Sequence, residues 1–209
     1  MALLPDKVTV DTGEATQTHT KRELCSVGFP DTSLDDTVLP PARPRNITFT
    51  DGSVIQSVDL TVADGRATIA LQDSDPIVAS TRTIQSVRFF SPAPELAQQW
   101  RSIESAEDIK GDVLVIRKTQ IVEDQDGIEQ EIVGLDSLEG VIYEVDDAGG
   151  GFEFDGTRVS VPTHKVEGLI YFRRGTSRSV EPTAQLLLVD NSKWNMRSCE
   201  VDGDLLNGI

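Results

Sequence analysis

Three segments of the chain end in the same sequence pattern, and this internal repeat constrains the fold more than any other feature. The endings are LCSVGF at 24–29, IQSVRF at 84–89 and VEGLIYF at 166–172, each after an extended stretch of similar length. Aligned, they form three apolar columns: Leu24, Ile84 and Val166; Val27, Val87 and Leu169; Phe29, Phe89 and Tyr171. Such self-similarity predicts one structural unit that is used more than once.

A second pattern precedes these endings and consists of a strand, an acidic turn and another strand. It occurs in 47–65, in 112–147 with an insertion, and in 185–203. Alternation such as Ile47-Thr-Phe49 has the two-residue period of a half-buried strand. Asp-Gly pairs, which favour tight hairpin turns, stand at 51–52, 64–65, 126–127 and 155–156. A unit of about five short strands predicts an all-β chain of tandem small Sm/SH3-like barrels, which protect their strand edges.

One segment departs from the β pattern. At roughly 92–105, Leu96, Trp100 and Ile103 fall on one helical face, while Ser91-Pro92 supply a cap and a first-turn proline. We expect one short connecting helix there, with Trp100 packed against a barrel.

These patterns predict the domain organisation of the chain. The segments are a back half of a β unit at 1–29, a proline-rich linker at 30–45, a β-barrel unit at 46–90, a helical connector at 91–110, a β-barrel unit with a hairpin insertion at 111–174, a linker at 175–184 and a front half of a β unit at 185–209. Either the chain is a piece of a longer array, or the two terminal halves pair and complete a third barrel. In the second case Cys25 and Cys199 would lie in one barrel and could form a disulfide bond. Otherwise they are buried free thiols, because their separation shows no metal-ligand spacing.

The charge balance limits the classes of partner. Among 209 residues, 35 are acidic and 19 are basic, which gives a net charge of −16. Such a field repels polyphosphate, so nucleic acid is not an expected partner. No stretch approaches the roughly 18 apolar residues of a membrane-spanning helix, so we expect no membrane span. The first ten residues carry no signal-peptide pattern, which fits either the mature part of a periplasmic or extracellular protein or a cytoplasmic protein.

Catalysis has few candidate residues. The chain has two histidines, His19 and His164, and both precede the closing strand of a unit. This shared position indicates a feature of the repeat rather than a proton relay. No nucleotide-binding, zinc-protease or serine-hydrolase motif occurs. We therefore expect no enzyme activity and no cofactor.

Two sites are candidates for ligand binding. Asp124, Asp126 and Glu129 offer the carboxylate oxygens that calcium prefers, although the spacing is not that of an EF-hand. A solvated hairpin tip explains the same residues. Sugar binding would need an exposed aromatic ring, and beyond phenylalanine the rings are those of Trp100, Trp194, Tyr143 and Tyr171. Trp194, in the turn-rich DNSKWN, is the candidate for exposure, and a place in a barrel core is the alternative.

The segments LEGVIYEVDD at 138–147 and KVEGLIYFRRG at 165–175 resemble Sm-like small barrels. The shared features are a strand glycine (Gly140), an aspartate turn and a closing strand that ends in Arg174-Gly175. The turn asparagine that the Sm family uses to bind uridine is replaced here by Ala148-Gly-Gly-Gly. The resemblance therefore implies the barrel without implying RNA binding.

A second resemblance covers most of residues 46–200. The order of IQSVRFFSPAPELAQQWRSI, GDVLVIRK, LEGVIYEVDD, VSVPTHKVEGLIYFRR and LLVDNSKWNMRS is similar to poorly characterised planctomycete proteins. In those proteins β repeats precede an NPCBM-type carbohydrate-binding module. The resemblance implies an exported protein and supplies no catalytic residue.

The sequence thus predicts a non-enzymatic scaffold or binding module of an exported or envelope protein, with a glycan or a protein as its partner. One alternative is an Sm-like module that oligomerises by strand pairing and contacts RNA, which salt-sensitive RNA binding would reveal. Another is a calcium-stabilised adhesion module, whose melting temperature would rise with calcium. The oligomeric state stays open.

Overall fold

The computed structural model describes residues 2–4, 7–11, 16–20, 44–72, 74–90, 93–106, 108–123, 129–173, 182, 184–188, 190–202 and 205–208. In this part of the chain most residues belong to β-strands and one segment is an α-helix, which confirms the prediction of an all-β fold. The predictions for Cys25, Asp124 and Asp126 lie outside the described residues.

The strands follow one another along the chain with a single helix, α1 (Pro94–Glu104), after the ninth. They are β1 (Ala2–Leu4), β2 (Lys7–Asp11), β3 (Thr16–Thr20), β4 (Arg45–Phe49), β5 (Val54–Ser57), β6 (Asp59–Ala63), β7 (Arg66–Leu71), β8 (Ser74–Ser80), β9 (Ile84–Arg88), β10 (Asp112–Glu123), β11 (Glu129–Val145), β12 (Gly149–Phe154), β13 (Thr157–Pro162), β14 (Val166–Ile170), β15 (Ala184–Leu187), β16 (Lys193–Met196), β17 (Cys199–Asp202) and β18 (Leu205–Gly208).

A 13-stranded antiparallel sheet contains the central part of the chain. Its order is β15-β16-β5-β4-β9-β14-β10-β11-β6-β7-β8, and β12 and β13 extend from β11. Separate small sheets join β1, β2 and β3, and join β17 and β18. The large sheet is not closed, because its end strands β15 and β8 do not pair with each other in the described part of the chain. Strand pairing therefore establishes an all-β structure and leaves the number of barrels undefined.

The same order of pairing occurs in residues 45–88 and 112–170. In each segment the first strand pairs with the second and the last, since β4 pairs with β5 and β9, and β10 pairs with β11 and β14. After these strands, β6, β7 and β8 pair in succession in the first segment, and β11, β12 and β13 pair in succession in the second. The long strand β11 therefore takes the place of both β5 and β6. The two last strands, β9 and β14, pair with one another, and Val87 lies opposite Leu169. The two segments therefore meet through equivalent positions of the sequence repeat.

One hydrophobic core lies between the two segments. Each apolar column of the sequence pattern supplies a buried residue from both segments, exposed by 5% or less: Ile84, Val87, Phe89, Val166, Leu169 and Tyr171. These side chains belong to a single cluster, together with Ile47 of β4 and Leu114 of β10. Because the apolar surface of each segment is removed from water by the other, we expect the two segments to unfold together.

Three of the predicted Asp-Gly hairpin turns are confirmed. The first, at 51–52, joins the antiparallel strands β4 and β5, and Gly52 has a φ of 82°. Asp64 and Gly65 join β6 to β7 with φ angles of 50° and 72°, and Asp155 and Gly156 join β12 to β13 with 49° and 71°. Positive φ at both central residues is the geometry of the two-residue turn that suits twisted strands, and Asp-Gly tolerates it well. The pair at 126–127 lies outside the described residues.

Helix α1 begins at Pro94, two residues later than the sequence pattern predicts, and its N-cap residue, Ala93, makes no side-chain capping hydrogen bond. The predicted cap residues, Ser91 and Pro92, lie outside the described residues. Trp100 packs against the sheet as predicted, in a small cluster with Val113, Val115 and Ile170. A Cβ atom on Gly168 would lie 2.7 Å from Cη2 of Trp100. The glycine in β14 therefore lets the indole approach the backbone of the sheet closely.

A buried ion cluster lies beneath this helix. The Glu167 carboxylate is fully buried and accepts from Arg88 (2.6 Å) and Arg117 (2.5 Å). The Arg88 guanidinium lies 4.8 Å from the centroid of the Trp100 ring, and that of Arg117 lies 3.8 Å from the Phe90 ring. One carboxylate thus joins the last strands of both segments to β10.

Candidate functional site

An open cleft lies where β6 of the first segment runs beside β11 of the second. The two strands pair at Val62 and Val145. The cleft has a volume of about 450 Å³ and is lined by Val62, Ala63, Asp64, Gly65, Thr81, Ile142, Tyr143, Glu144 and Arg158. We call it the Tyr143 cleft. Its volume lies within the range of about 300–1,000 Å³ that is usual for small-molecule sites.

Hydrogen bonds hold the rim of the cleft in place. The backbone N–H and the hydroxyl of Thr81 both donate to the carbonyl of Gly65, at 2.9 and 3.1 Å. The Arg173 guanidinium in turn donates to the carbonyls of Thr81 and Ile84. The Asp64-Gly65 turn is therefore tied through Thr81 to the body of the protein.

Arg173, Tyr171 and Asp112 lie behind this rim and have a structural role. Burial, opposed by Asp112 and Tyr171, lowers the pKa of Arg173. Burial, and to a smaller degree Asp112, raises the pKa of Tyr171 well above its usual value, and Arg173 opposes this rise. The Asp112 carboxylate accepts from the backbone N–H groups of Ile142 (3.1 Å) and Phe172 (2.8 Å). These contacts fix the strand that carries Tyr143.

Tyr143 lies between a cation and a glycine. The Arg158 guanidinium lies 4.8 Å from the centroid of its ring, and Arg158 also donates to Glu153 at 3.2 Å. A Cβ atom on Gly151 would lie 2.7 Å from Cε2 of the ring and would overlap Glu144. The absence of a side chain at Gly151 therefore allows both Tyr143 and Glu144 to take their positions at the cleft.

The cleft combines the groups that recognise a polyhydroxylated molecule. Asp64 and Glu144 have exposed carboxylates, which accept hydrogen bonds from hydroxyl groups. Arg158 donates through a planar guanidinium, and the partly exposed Tyr143 ring offers apolar surface. This arrangement can bond the hydroxyls of a sugar, and the C–H groups of the sugar can pack on the part of the Tyr143 ring that Arg158 does not cover.

Trp194, the sequence candidate for sugar binding, lies elsewhere. It belongs to β16 opposite Leu186, and its side chain is partly buried. The indole Nε1 is buried and finds no acceptor among the described residues. The structure thus places Trp194 away from the Tyr143 cleft, and its role in binding stays a prediction.

The other predicted site residues are described by their backbone alone or lie outside the described residues. Glu129 begins β11 opposite Glu123, and Cys199 begins β17 opposite Gly208. The calcium site and the Cys25–Cys199 disulfide therefore stay predictions. Within the described ranges, no three His, Cys, Asp or Glu side chains are grouped so that they could hold a metal ion.

The cleft brings together residues that are far apart in the sequence. Asp64 belongs to a predicted Asp-Gly turn and Tyr143 is one of the four rings available for sugar binding, whereas no sequence pattern distinguishes Glu144 or Arg158. These residues lie close together because β6 pairs with β11, and this pairing joins positions that are 83 residues apart in the sequence (145 − 62). A repeat period reveals the units but not this contact between them.

Comparisons of the chain with protein-family models, with curated proteins and with solved structures find no match. Among the residues that the structure describes, no helix has the length and apolar character needed to cross a membrane.

Proposed function

We propose that this chain is a non-enzymatic binding module that holds a neutral glycan in the Tyr143 cleft. The observation that carries the proposal is one aromatic ring beside a guanidinium and two carboxylates in an open cleft. Aromatic faces pack on the C–H groups of sugars, and charged side chains bond their hydroxyls. A net charge of −16 disfavours an anionic sugar, so the ligand class is neutral.

The proposal includes a tandem architecture. Residues 46–90 and 111–174 each form an Sm/SH3-like unit of about five strands, joined by the helical connector at 91–110. The similar order of strand pairing in the two segments, with β11 in the place of β5 and β6, supports this arrangement. The Tyr143 cleft takes β6 from one unit and β11 from the other. The contact between units thus creates a binding surface that neither unit has alone.

We further propose that the module acts as a scaffold of an exported or envelope protein, in the periplasm or outside the cell. The support is the resemblance of residues 46–200 to planctomycete proteins that carry β repeats ahead of a carbohydrate-binding module. A glycan-binding scaffold suits such a setting, because cell-surface glycans are abundant there and binding requires no cofactor.

The test is binding of the purified chain to a broad glycan array, with Tyr143→Ala beside it. Phe154→Ala is the matched control, because Phe154 is an exposed aromatic residue (48%) that does not line the cleft. We expect specific binding to neutral glycans that Tyr143→Ala abolishes and Phe154→Ala retains. A blank array, or binding that survives Tyr143→Ala, contradicts the proposal. Loss in Trp194→Ala alone would move the site to β16.

A second candidate function is assembly through strand pairing, and β13 favours it. This strand pairs only with β12 in the described part of the chain, and its residues are exposed or partly exposed. An exposed edge strand is available for pairing with another chain. Sedimentation of the wild type and of Val159→Lys tests this function: a dimer that the lysine disrupts supports it, and a monomeric wild type dismisses it.

A further inference from the structure

The two segments contact each other through equivalent strands at two places. Val87 lies opposite Leu169 in the pairing of β9 with β14. Val62 lies opposite Val145 in the pairing of β6 with β11. These two valines are equivalent, because each pairs with the residue five positions further along the chain (67 − 62 and 150 − 145). At both contacts a residue meets its own equivalent, which is the geometry of a local twofold axis.

The strand β13 has an equivalent in the first segment, β8. Each of the two strands is followed by one turn of 3-10 helix and then by the last strand of its segment. The N–H of Thr81 donates to the carbonyl of Gly65 at 2.9 Å, and the N–H of Thr163 donates to the carbonyl of Ala148 at 3.3 Å. Among the described residues, β8 pairs only with β7, and β13 pairs only with β12. The segments thus present two equivalent free edges.

The two free edges differ in their capacity to pair with another strand. β8 contains Pro76 in its interior, and a proline protects an edge strand because it has no N–H to donate. In β13 the proline is at the last position, Pro162. The N–H of Thr163 points to the β12 side. Because N–H groups alternate in direction along a strand, those of Arg158 and Ser160 point to the free edge. β13 is therefore the edge that can accept a strand.

We propose that β13 pairs with β13 of a second copy of this chain around a twofold axis at Ser160, and that the two Tyr143 clefts then bind one glycan chain together. The internal contacts identify the occupant, since strands of this repeat pair with their own equivalents. In the described part of the chain that equivalent is β8, which contains Pro76, so a second copy supplies the strand. Such a contact closes after two copies. The glycan binding rests on the function proposed above for the Tyr143 cleft.

An axis at Ser160 uses the donors that the free edge of β13 offers. The N–H of Ser160 donates to the Ser160 carbonyl of the other copy, and the N–H of Arg158 donates to the carbonyl of Pro162. Symmetry repeats both bonds. Arg158 lies opposite Pro162 in this register, so no like charges face each other. The missing N–H of Pro162 removes a bond only at the end of the strand.

The same axis places both clefts on one face of the extended sheet. Ser160 lies opposite Gly151, and Arg158 lies opposite Glu153; directly opposite residues share a face. A Cβ atom on Gly151 would lie 2.7 Å from the Tyr143 ring, so the ring is on this face. The axis is perpendicular to the sheet, and the second copy therefore presents the same face. Five strand spacings of about 4.8 Å separate the two β11 strands, so the rings lie about 24 Å apart.

Disulfide trapping of the full-length chain tests the axis without any ligand. The variant carries Ser160→Cys in a Cys25→Ser, Cys199→Ser background. Only a residue at the axis meets itself, with Cα atoms about 5.5 Å apart, which a disulfide can span. The matched control is Val78→Cys in the same background, because Val78 is the equivalent position on β8 and is 57% exposed. We expect at least tenfold more disulfide-linked dimer from Ser160→Cys. Equal yields, or no dimer from a chain that retains its wild-type circular dichroism, overturn the proposal.

Sedimentation velocity applies if the cysteine variants do not fold. Ser160→Pro removes the N–H at the axis and should be monomeric, whereas Ser160→Ala keeps that N–H and should remain a dimer like the wild type. A monomeric wild type, or a dimer that Ser160→Pro retains, contradicts the pairing.

Bivalent binding is tested with two forms of the neutral glycan that binds most strongly on the array, a polymer and its disaccharide. Ser160→Pro should weaken binding of the polymer at least tenfold and binding of the disaccharide less than twofold, because linked sites multiply affinity. Ser160→Ala should bind both forms like the wild type. A monomeric wild type that binds the disaccharide overturns the bivalent binding alone, whereas a blank array overturns it together with the proposed function.

Discussion

Replacing Glu167 with glutamine should strongly reduce the free energy of unfolding. Its carboxylate is fully buried between Arg88 and Arg117, whose side chains are 10% and 31% exposed. Glutamine keeps the shape but leaves the guanidinium charges without a counter-charge. Removing one partner of a buried ion pair typically costs about 3–5 kcal/mol, because a desolvated charge remains. For a chain of this size, that loss lowers the melting temperature by roughly 6–20 °C.

The assay is urea unfolding followed by circular dichroism, with Glu153→Gln as the matched control. Glu153 forms a solvent-exposed pair with Arg158, and exposed pairs contribute about 0–1 kcal/mol. The triple replacement Arg88→Met, Glu167→Leu, Arg117→Met should restore most of the loss, since apolar side chains avoid the desolvation penalty. A Glu167→Gln protein within about 1 kcal/mol of the wild type refutes the assignment of Glu167 as a buried counter-charge.

Two further substitutions test the packing and the titration behaviour. Gly168→Ala should lower the free energy of unfolding by about 1–3 kcal/mol, because the new methyl group forces Trp100 and the neighbouring strand away from β14. The control Gly150→Ala should change the denaturation midpoint little, because the space at its Cβ is open. Equal midpoints for the two variants would contradict the close approach of the indole. The raised pKa of Tyr171 means that the folded state keeps this proton longer than the unfolded state, so its contribution to stability is complete below about pH 10 and is lost as the pH rises further. Urea unfolding between pH 9 and 11 should show a steeper loss for the wild type than for Tyr171→Phe, and parallel curves would refute this contribution.

The repeat made the all-β class and the buried columns predictable from the sequence. Apolar residues at a constant distance from tight turns, such as Val87 and Leu169, lie on the same face of the sheet, and that face is the buried one. The Asp64-Gly65 and Asp155-Gly156 turns were predictable for a similar reason, because the residues themselves tolerate the required backbone angles. Each of these features depends on local chemistry.

The candidate site was not predictable in the same way. Tyr143, Asp64 and Arg158 meet only because β6 and β11 pair across the two segments, and no local pattern encodes that partner. The role of Gly151 could not be predicted either, because it depends on the space that the missing side chain leaves for the ring of Tyr143. The turn-forming residues around Trp194 favoured an exposed position for it, but they do not reveal that β16 pairs with β15.

The most direct test of the glycan proposal is a crystal structure of the chain with the glycan that binds most strongly on the array. We predict that one sugar ring packs on Tyr143 and that its hydroxyls contact Asp64, Glu144 or Arg158. The ligand should be absent from crystals of Tyr143→Ala grown under the same conditions. A glycan bound outside the Tyr143 cleft, at Trp194 or on another surface, would contradict the assignment of this cleft as the binding site.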